Sequence, residues 1–350
     1  MDLNLSQEQR ALQSSVRKFF AKESPPHVVR AAEPLGFDTE LWRKVVALGL
    51  PSIAVPEHHG GGGGGHLELV IAAECAGYHL APVPLVEAST TVNLLASLLD
   101  ATPSDQVAML LARTLAGEVI ATTALRPASG DVARVVPAGA VADLVVVLRD
   151  DELIAYERPD GRGREACEGL ANLGSTPIAD CQLDGRAGLV LARGPAARQA
   201  HERAVSDWKL LVSAGLVGLG THALEMGVDY VMQRHAFGVL IATFQTIQHR
   251  LADNATALDG ARLLAYEAAW ARDVDLPSAG SLARMSFLFA SEMAFKTAAE
   301  SLHFHGGYGY TLEYDIQLYF RRAKAWPLLA GDPRAEYAAL AHRLFDPAGL

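Results

Sequence analysis

Apolar residues first recur at three- and four-residue steps near the start of the chain, where Leu12, Val16, Phe19 and Phe20 follow the polar opening Ser6-Gln7-Glu8-Gln9. That spacing predicts an amphipathic helix. The opening fits a capping box, with Ser6 as N-cap and Gln9 reaching back to it, and Pro25-Pro26 supplies the stop. Residues 38–49, 68–78 and 89–99 carry the same helical texture. From about Glu118 short apolar runs take over, at 119–124, 142–148, 153–156 and 189–192, each bounded by Gly, Pro or Asp. Valine-rich runs of that length have strand composition. Beyond Pro195 helical texture returns over 204–234, 243–272, 278–303 and 333–345. In the third of these, Leu282, Met285, Phe289 and Met293 step by three, four and four and mark one buried face. Gly215, Gly218 and Gly220 interrupt the first at a cost of about 1 kcal/mol each against alanine, so close packing of another backbone is expected there. The pattern predicts a mainly α chain with a middle β domain. Its divisions are a helical N-terminal domain over 1–115, a β domain over 116–198 and a C-terminal helical bundle over 199–350.

Composition narrows the class. Of 350 residues, 50% are hydrophobic and 20% charged, which excludes disordered and fibrous chains. The 30 Lys+Arg against 40 Asp+Glu leave a formal charge of −10. Nucleic-acid binding needs a basic face, so no nucleic-acid partner is expected. A small anionic ligand needs only one local basic group. Cys75, Cys167 and Cys181 are an odd number without CxxC spacing, which gives no disulfide framework or zinc cluster and suits a reducing compartment. No basic segment leads into an apolar one at the N-terminus, and no run of 18 apolar residues occurs. The expectation is therefore a cytoplasmic protein without a membrane span.

Candidate chemistry concentrates in the last third. Arg234-His235-Ala236-Phe237-Gly238 ends one predicted helix, and Phe244-Gln245-Thr246-Ile247-Gln248-His249 opens the next. His305-Gly306-Gly307-Tyr308-Gly309-Tyr310-Thr311 follows the third. A glycine-rich turn lets backbone N–H groups approach a phosphate, and an arginine adds a charge-assisted bond. Taken singly, a helix C-cap accounts for the glycines equally well, and a lone arginine is ordinarily solvated or ion-paired.

In this order, these segments resemble the acyl-CoA dehydrogenase family. So do Pro56-Glu57-His58-His59-Gly60-Gly61, Gly77-Tyr78-His79-Leu80-Ala81-Pro82 and Val136-Pro137-Ala138-Gly139-Ala140-Val141-Ala142-Asp143. The resemblance covers nearly the whole chain. It implies an N-terminal helical domain, a β-barrel-like middle domain and a C-terminal four-helix bundle, with FAD held at a subunit interface. It also implies oxidation of an acyl-CoA thioester to the 2-enoyl-CoA, a carboxylate taking the α proton while the β hydrogen passes as hydride to the flavin.

Carried onto this sequence, the resemblance gives Arg234 a contact to the FAD pyrophosphate of a neighbouring subunit, with Phe237 nearby. Gln245 falls on the adenosine side, and Gly306 and Gly307 approach the same half. His303 stands where a glutamine is usual and can still hydrogen-bond. On the flavin-ring side the usual glycine-rich segment is degraded to Thr122-Thr123-Ala124-Leu125-Arg126-Pro127-Ala128-Ser129-Gly130-Asp131, whose hydroxyls could meet a flavin or be structural. Ala330 occupies the usual position of the catalytic glutamate. The second family position aligns with Trp208, and Asp207 lies one residue, about 100° of helical rotation, away. Asp207 is the candidate base, against the alternative of an N-cap at a helix start. Asp332 is a weaker candidate that also reads as a cap.

Other residues receive plainer expectations. His58, His59 and His66 flank the glycine run 60–65 and read as a flexible loop in preference to a metal site. Arg321, Arg322 and Lys324 read as a solvated helix face, with contact to CoA phosphates as the alternative. By the resemblance, the residues that contact a neighbour's FAD are kept while those facing the chain's own flavin ring, and the usual base, are degraded. That resembles paired members of the family, in which two unlike chains form a heterotetramer and often act on bulky acyl-CoAs, including shortened steroid side chains. The alternatives are a self-sufficient homo-oligomer using Asp207, a non-catalytic structural subunit, and the same fold oxidising with O₂.

Overall fold

The capping box is formed. Ser6 Oγ accepts from Gln9 N at 3.1 Å, and Gln9 Oε1 accepts from Ser6 N at 2.9 Å, opening helix α1 (Gln7–Glu23). The structure, a computed structural model, describes residues 4–158, 169–183 and 188–345, so Cys167 lies outside the described residues. After α1 come α2 (Pro26–Ala31), α3 (Thr39–Ala47), α4 (His66–Tyr78), α5 (Leu85–Ala101) and α6 (Asp105–Leu115). The strands follow as β1 (Ala121–Thr123), β2 (Val132–Val136), β3 (Leu144–Arg149), β4 (Glu152–Glu157), β5 (Ala179–Gln182) and β6 (Gly188–Arg193). Then come α7 (Gly194–Val231), the hairpin β7 (His235–Ala236) and β8 (Val239–Leu240), α8 (Gln245–Asp273), α9 (Ala279–Phe304), α10 (Ile316–Leu328) and α11 (Pro333–Phe345). Helices α2, α6 and α10 lie outside the expected elements, and α7 begins ten residues before 204. Its first turns are polar and alanine-rich, so they form helix without showing an apolar stripe.

The chain divides into two compact units. One comprises residues 28–69 and 82–208, and the other residues 1–27, 70–81 and 209–350. The first contains a sheet in the order β1-β3-β4-β6, with β1 parallel to β3 and the other pairs antiparallel, beside a β2–β5 ladder. Alternate residues of β3 enter two cores. Leu144, Val146 and Leu148 meet Leu95, Leu99, Val107 and Leu111 of α5 and α6, while Val145 and Val147 meet Val136, Tyr156 and Cys181. Burial on both faces is why β3 reads as an unbroken apolar run.

The glycine run in this unit is ordered, which corrects the flexible-loop expectation. Each N–H from Gly60 to Gly65 is bonded: in turn to the carbonyls of Glu57, Pro56, Ser52, Val55 and Ile53, and to Glu68 Oε2. The run folds back so tightly that a Cβ on Gly61 would lie 2.2 Å from Val55 O. The 3-10 turn Glu57–His59 is thereby fixed, and His58 and His59 both reach Asp100 on α5. His66 starts α4, and its Nε2 lies 3.9 Å from Asp207 Oδ2.

In the other unit α8 lies along α9, and α9 along α10 and α11. Gly218 of α7 serves the expected purpose, because a Cβ on it would lie 2.0 Å from Glu74 O of α4, whereas one on Gly215 would make only ordinary contact at 3.8 Å. By length and hydropathy α7 could cross a bilayer, but 67% of its most apolar window is buried inside the protein, as in a core helix. Arg322, read as part of a solvated face, is buried, its Nη1 bonded to Leu318 O. Lys324 sits 4.9 Å over the Phe295 ring.

A polar and aromatic cluster joins α1, α4, α7 and α10 within this unit. Tyr78 stacks on His222 at 4.2 Å, beneath Arg17, and donates to Glu225. His222 Nδ1 meets Tyr78 O at 2.8 Å and the Tyr319 hydroxyl at 2.6 Å. Burial lowers the pKa of His222, and burial together with the charges of His222 and Arg17 lowers that of His79 to about 4. Both rings stay neutral in the fold, whereas the unfolded chain takes up protons near 6.5. Their stabilisation is complete above that pH and is lost as pH falls from 6.5 toward 4. The His79 ring is partly solvated, so screening holds its share to about 1–2 kcal/mol. The urea midpoint is expected to fall steadily between pH 7 and pH 4.5, and a flat profile there would contradict this account.

Candidate cofactor edge and catalytic carboxylates

The hairpin after α7 pairs His235 with Leu240 and Ala236 with Val239, and Phe237-Gly238 close it with φ of 55° and 80°. Two left-handed residues make the turn that suits a two-residue hairpin. Glycine adopts it freely, while phenylalanine crowds its own carbonyl. The ring so presented is 95% exposed, with Phe244 6.3 Å away edge-on. A large apolar side chain is thus held outward at a strained backbone position. Arg234, at the foot of the hairpin, is exposed, and its guanidinium has no ion-pair partner among the described residues. Its carbonyl accepts from Ile241 N at 2.9 Å, closing the loop.

Gln245 is the exposed first residue of α8, and His303 is exposed in the last turn of α9. Gly306 and Gly307 open the 3-10 turn that follows, and a Cβ on either would meet no atom within 4 Å. Tyr230 ties these segments together. Its ring stacks on His305 at 4.1 Å and its hydroxyl donates to His305 O at 3.4 Å, so the end of α7 is held against the residue before the glycine pair. Sequence reasoning did not single out Tyr230; an aromatic four residues before Arg234 is its only signal.

In the segment expected on the flavin-ring side, the two threonine hydroxyls are spent inside the protein. Thr122 donates to Pro137 O at 2.6 Å, the Thr123 hydroxyl shares a 2.9 Å bond with that of Thr91, and both threonines are buried. Asp207 lies in the middle of α7, so it is not an N-cap. It is 5% exposed and faces His66. Trp208 is 1% exposed, and its indole N–H donates to Glu87 Oε1 at 3.3 Å. Burial raises the Glu87 carboxyl above the ordinary range, against the hydrogen bonds from its own backbone and from Trp208. Glu87 was not foreseen, although a lone carboxylate inside Pro84-Leu85-Val86-Glu87-Ala88 is the signal that finds it. Ala330 lies in the turn after α10. Asp332 Oδ1 accepts from Arg334 N at 2.9 Å, so Asp332 is the cap of α11.

Comparison with known proteins identifies the family. A family model described as the C-terminal domain of acyl-CoA dehydrogenase matches residues 185–345, and one described as the N-terminal domain matches residues 6–118. The acyl-CoA dehydrogenase IpdE2 of Mycobacterium tuberculosis is 30% identical over 331 residues, covering 94% of each chain. A chain of the ChsE4-ChsE5 complex from Mycobacterium tuberculosis is similar with a TM-score of 0.85 at 26% identity, covering 99% of both chains. A variant of the Tcur3481-Tcur3483 steroid ACAD gives 0.85 at 25% identity, covering 98% of this chain and 99% of that one. The chain belongs to the acyl-CoA dehydrogenase family. It is accordingly an oxidoreductase acting on CH–CH groups.

Proposed function

We propose that this chain is one subunit of a flavin-dependent dehydrogenase for a bulky acyl-CoA, and that its bundle edge completes the FAD site of an unlike partner chain. The observation that carries the proposal is the outward edge itself. It combines the exposed Arg234, which has no ion-pair partner among the described residues, the exposed Phe237 ring and the open space at Gly306 and Gly307. These groups fit a dinucleotide: a guanidinium for the pyrophosphate, two glycines with open space beside the backbone for close approach, and an exposed aromatic ring. FAD, when bound, supplies the hydride acceptor. Arg234 would hold its phosphates, Gln245 and His303 would hydrogen-bond its adenosine half, and Phe237 would shield that contact from water. The positions at which the family resemblance expects a base hold Ala330 and the buried Trp208, which fits a chain that relies on its partner for the α proton. Support for an unlike partner and a bulky substrate comes from the solved relatives, one named as a two-component complex and one as a steroid ACAD.

The test is the visible spectrum of the chain purified alone and after co-expression with a second dehydrogenase-like chain. Alone it is expected to be colourless, and in the assembly yellow, with fewer flavins than chains. Arg234→Ala is expected to cut flavin retention in the assembly about tenfold, or roughly 1.4 kcal/mol, without altering its circular dichroism. One flavin per chain in the isolated protein would overturn the paired reading. Glu87 favours a second reading, in which the chain carries its own base, since a half-buried carboxyl with a raised pKa suits proton abstraction. In that case Glu87→Gln would abolish turnover of the isolated chain.

A further inference from the structure

We infer that His58, His59 and Asp100 form a binding site for one borderline divalent transition-metal ion, of the Zn²⁺, Ni²⁺ and Cu²⁺ class. The Nε2 atoms of the two histidines converge on the same carboxylate oxygen, Asp100 Oδ1, at 3.1 and 2.9 Å. The three ligand atoms all lie within 4.8 Å of one another. Metal–ligand bonds of about 2.0–2.2 Å set tetrahedral ligands roughly 3.3–3.5 Å apart, so an ion would need only a small adjustment of side chains. Two imidazoles and one carboxylate are the donor set that such ions select, and three protein ligands leave a position for water. Without an ion, the two rings share one carboxylate oxygen as N–H donors. With one, each ring carries its proton on Nδ1 and offers the Nε2 lone pair.

The backbone is prepared for this. The adjacent histidines stand on a 3-10 turn held by the hydrogen-bonded glycine run, and their rings lie 4.1 Å apart. Asp100 stands in the last turn of α5. An ion would therefore clip the turn to the end of that helix within one unit, and its binding would add directly to the stability of that unit. Nothing in this inference depends on flavin or on a partner chain.

The test uses the full chain, stripped with chelator and titrated with ZnCl₂ by calorimetry, with thermal unfolding followed in parallel. One Zn²⁺ per chain is expected, at micromolar affinity and with a rise in Tm. His59→Ala and Asp100→Asn should each weaken binding more than tenfold and abolish that rise, while His27→Ala, an exposed histidine elsewhere, should leave both unchanged. His58 and Asp100 are exposed while the His59 side chain is 18% accessible, and circular dichroism of each variant should match the parent. Asp100→Asn, which keeps the shape, carries the test should His59→Ala unfold. Failure to saturate by millimolar Zn²⁺, or the same affinity in both ligand variants, would overturn the inference.

Discussion

Glu336→Ala is expected to lower the stability of the bundle by about 3–5 kcal/mol, the cost of leaving buried cations uncompensated. Glu336 Oε2 receives Lys209 Nζ at 2.6 Å and Arg284 Nη1 at 2.7 Å. The Lys209 side chain is only 3% exposed, and the other two are mostly buried. Burial chiefly, and the nearby Arg284 charge, hold the Lys209 ammonium below its ordinary pKa, while Glu336 works against them. Removing the carboxylate leaves two cations facing each other out of water. The helix that carries Glu336 buries no residue fully, and this carboxylate ties α11 to α7 and α9. Denaturant midpoints of Glu336→Ala and Glu336→Gln would measure the effect, with the amide intermediate because it keeps an acceptor. A loss below about 1 kcal/mol would show that α11 is held by something else.

The second large effect is at the crossing of α4 and α7. A Cβ on Gly77 would lie 2.0 Å from Gly215 O, and one on Gly218 an equal 2.0 Å from Glu74 O. Both obstacles are backbone carbonyls, which no rotamer change can move. Gly77→Ala and Gly218→Ala are each expected to cost about 3 kcal/mol, since the helices must separate to admit the methyl group. Gly260→Ala in α8 supplies the contrast. Its added Cβ meets only Phe289 Cε1 at 3.6 Å, ordinary contact, so the change should stabilise the protein by about 0.5–1 kcal/mol through helix propensity. Thermal unfolding of the three variants tests the sign as well as the size. Equal effects at all three positions would exclude close helix packing as the reason for the glycines.

What the sequence made legible depended on range. The capping box at Ser6, strands β1, β3, β4 and β6 and the close packing of Gly218 follow from neighbours in the chain or from one helix face. The early start of α7 escaped because its first turns bury only alanines, Ala197 and Ala204, beside His201, and so carry no period of large apolar residues. The ordered glycine run escaped because its acceptors, chiefly backbone carbonyls between 52 and 57, leave no mark in a side-chain pattern. Asp100 was missed as a partner for His58 and His59 because it lies more than forty positions away, brought near only by the fold of α5. Asp207 was legible as a carboxylate near the base position. Its burial against His66 was not, nor was the bond from Trp208 to Glu87, since consecutive residues on a helix point about 100° apart.

The bonding of the glycine run has a consequence for its length. Six N–H groups are allotted one apiece to acceptors at 57, 56, 52, 55, 53 and 68. Inserting or deleting a single glycine would offset every assignment that follows it and would shift His66 relative to the turn at 57–59. A homopolymer that looks like an elastic spacer therefore behaves as a ruler, and its residue count is constrained more tightly than any side chain within it could be.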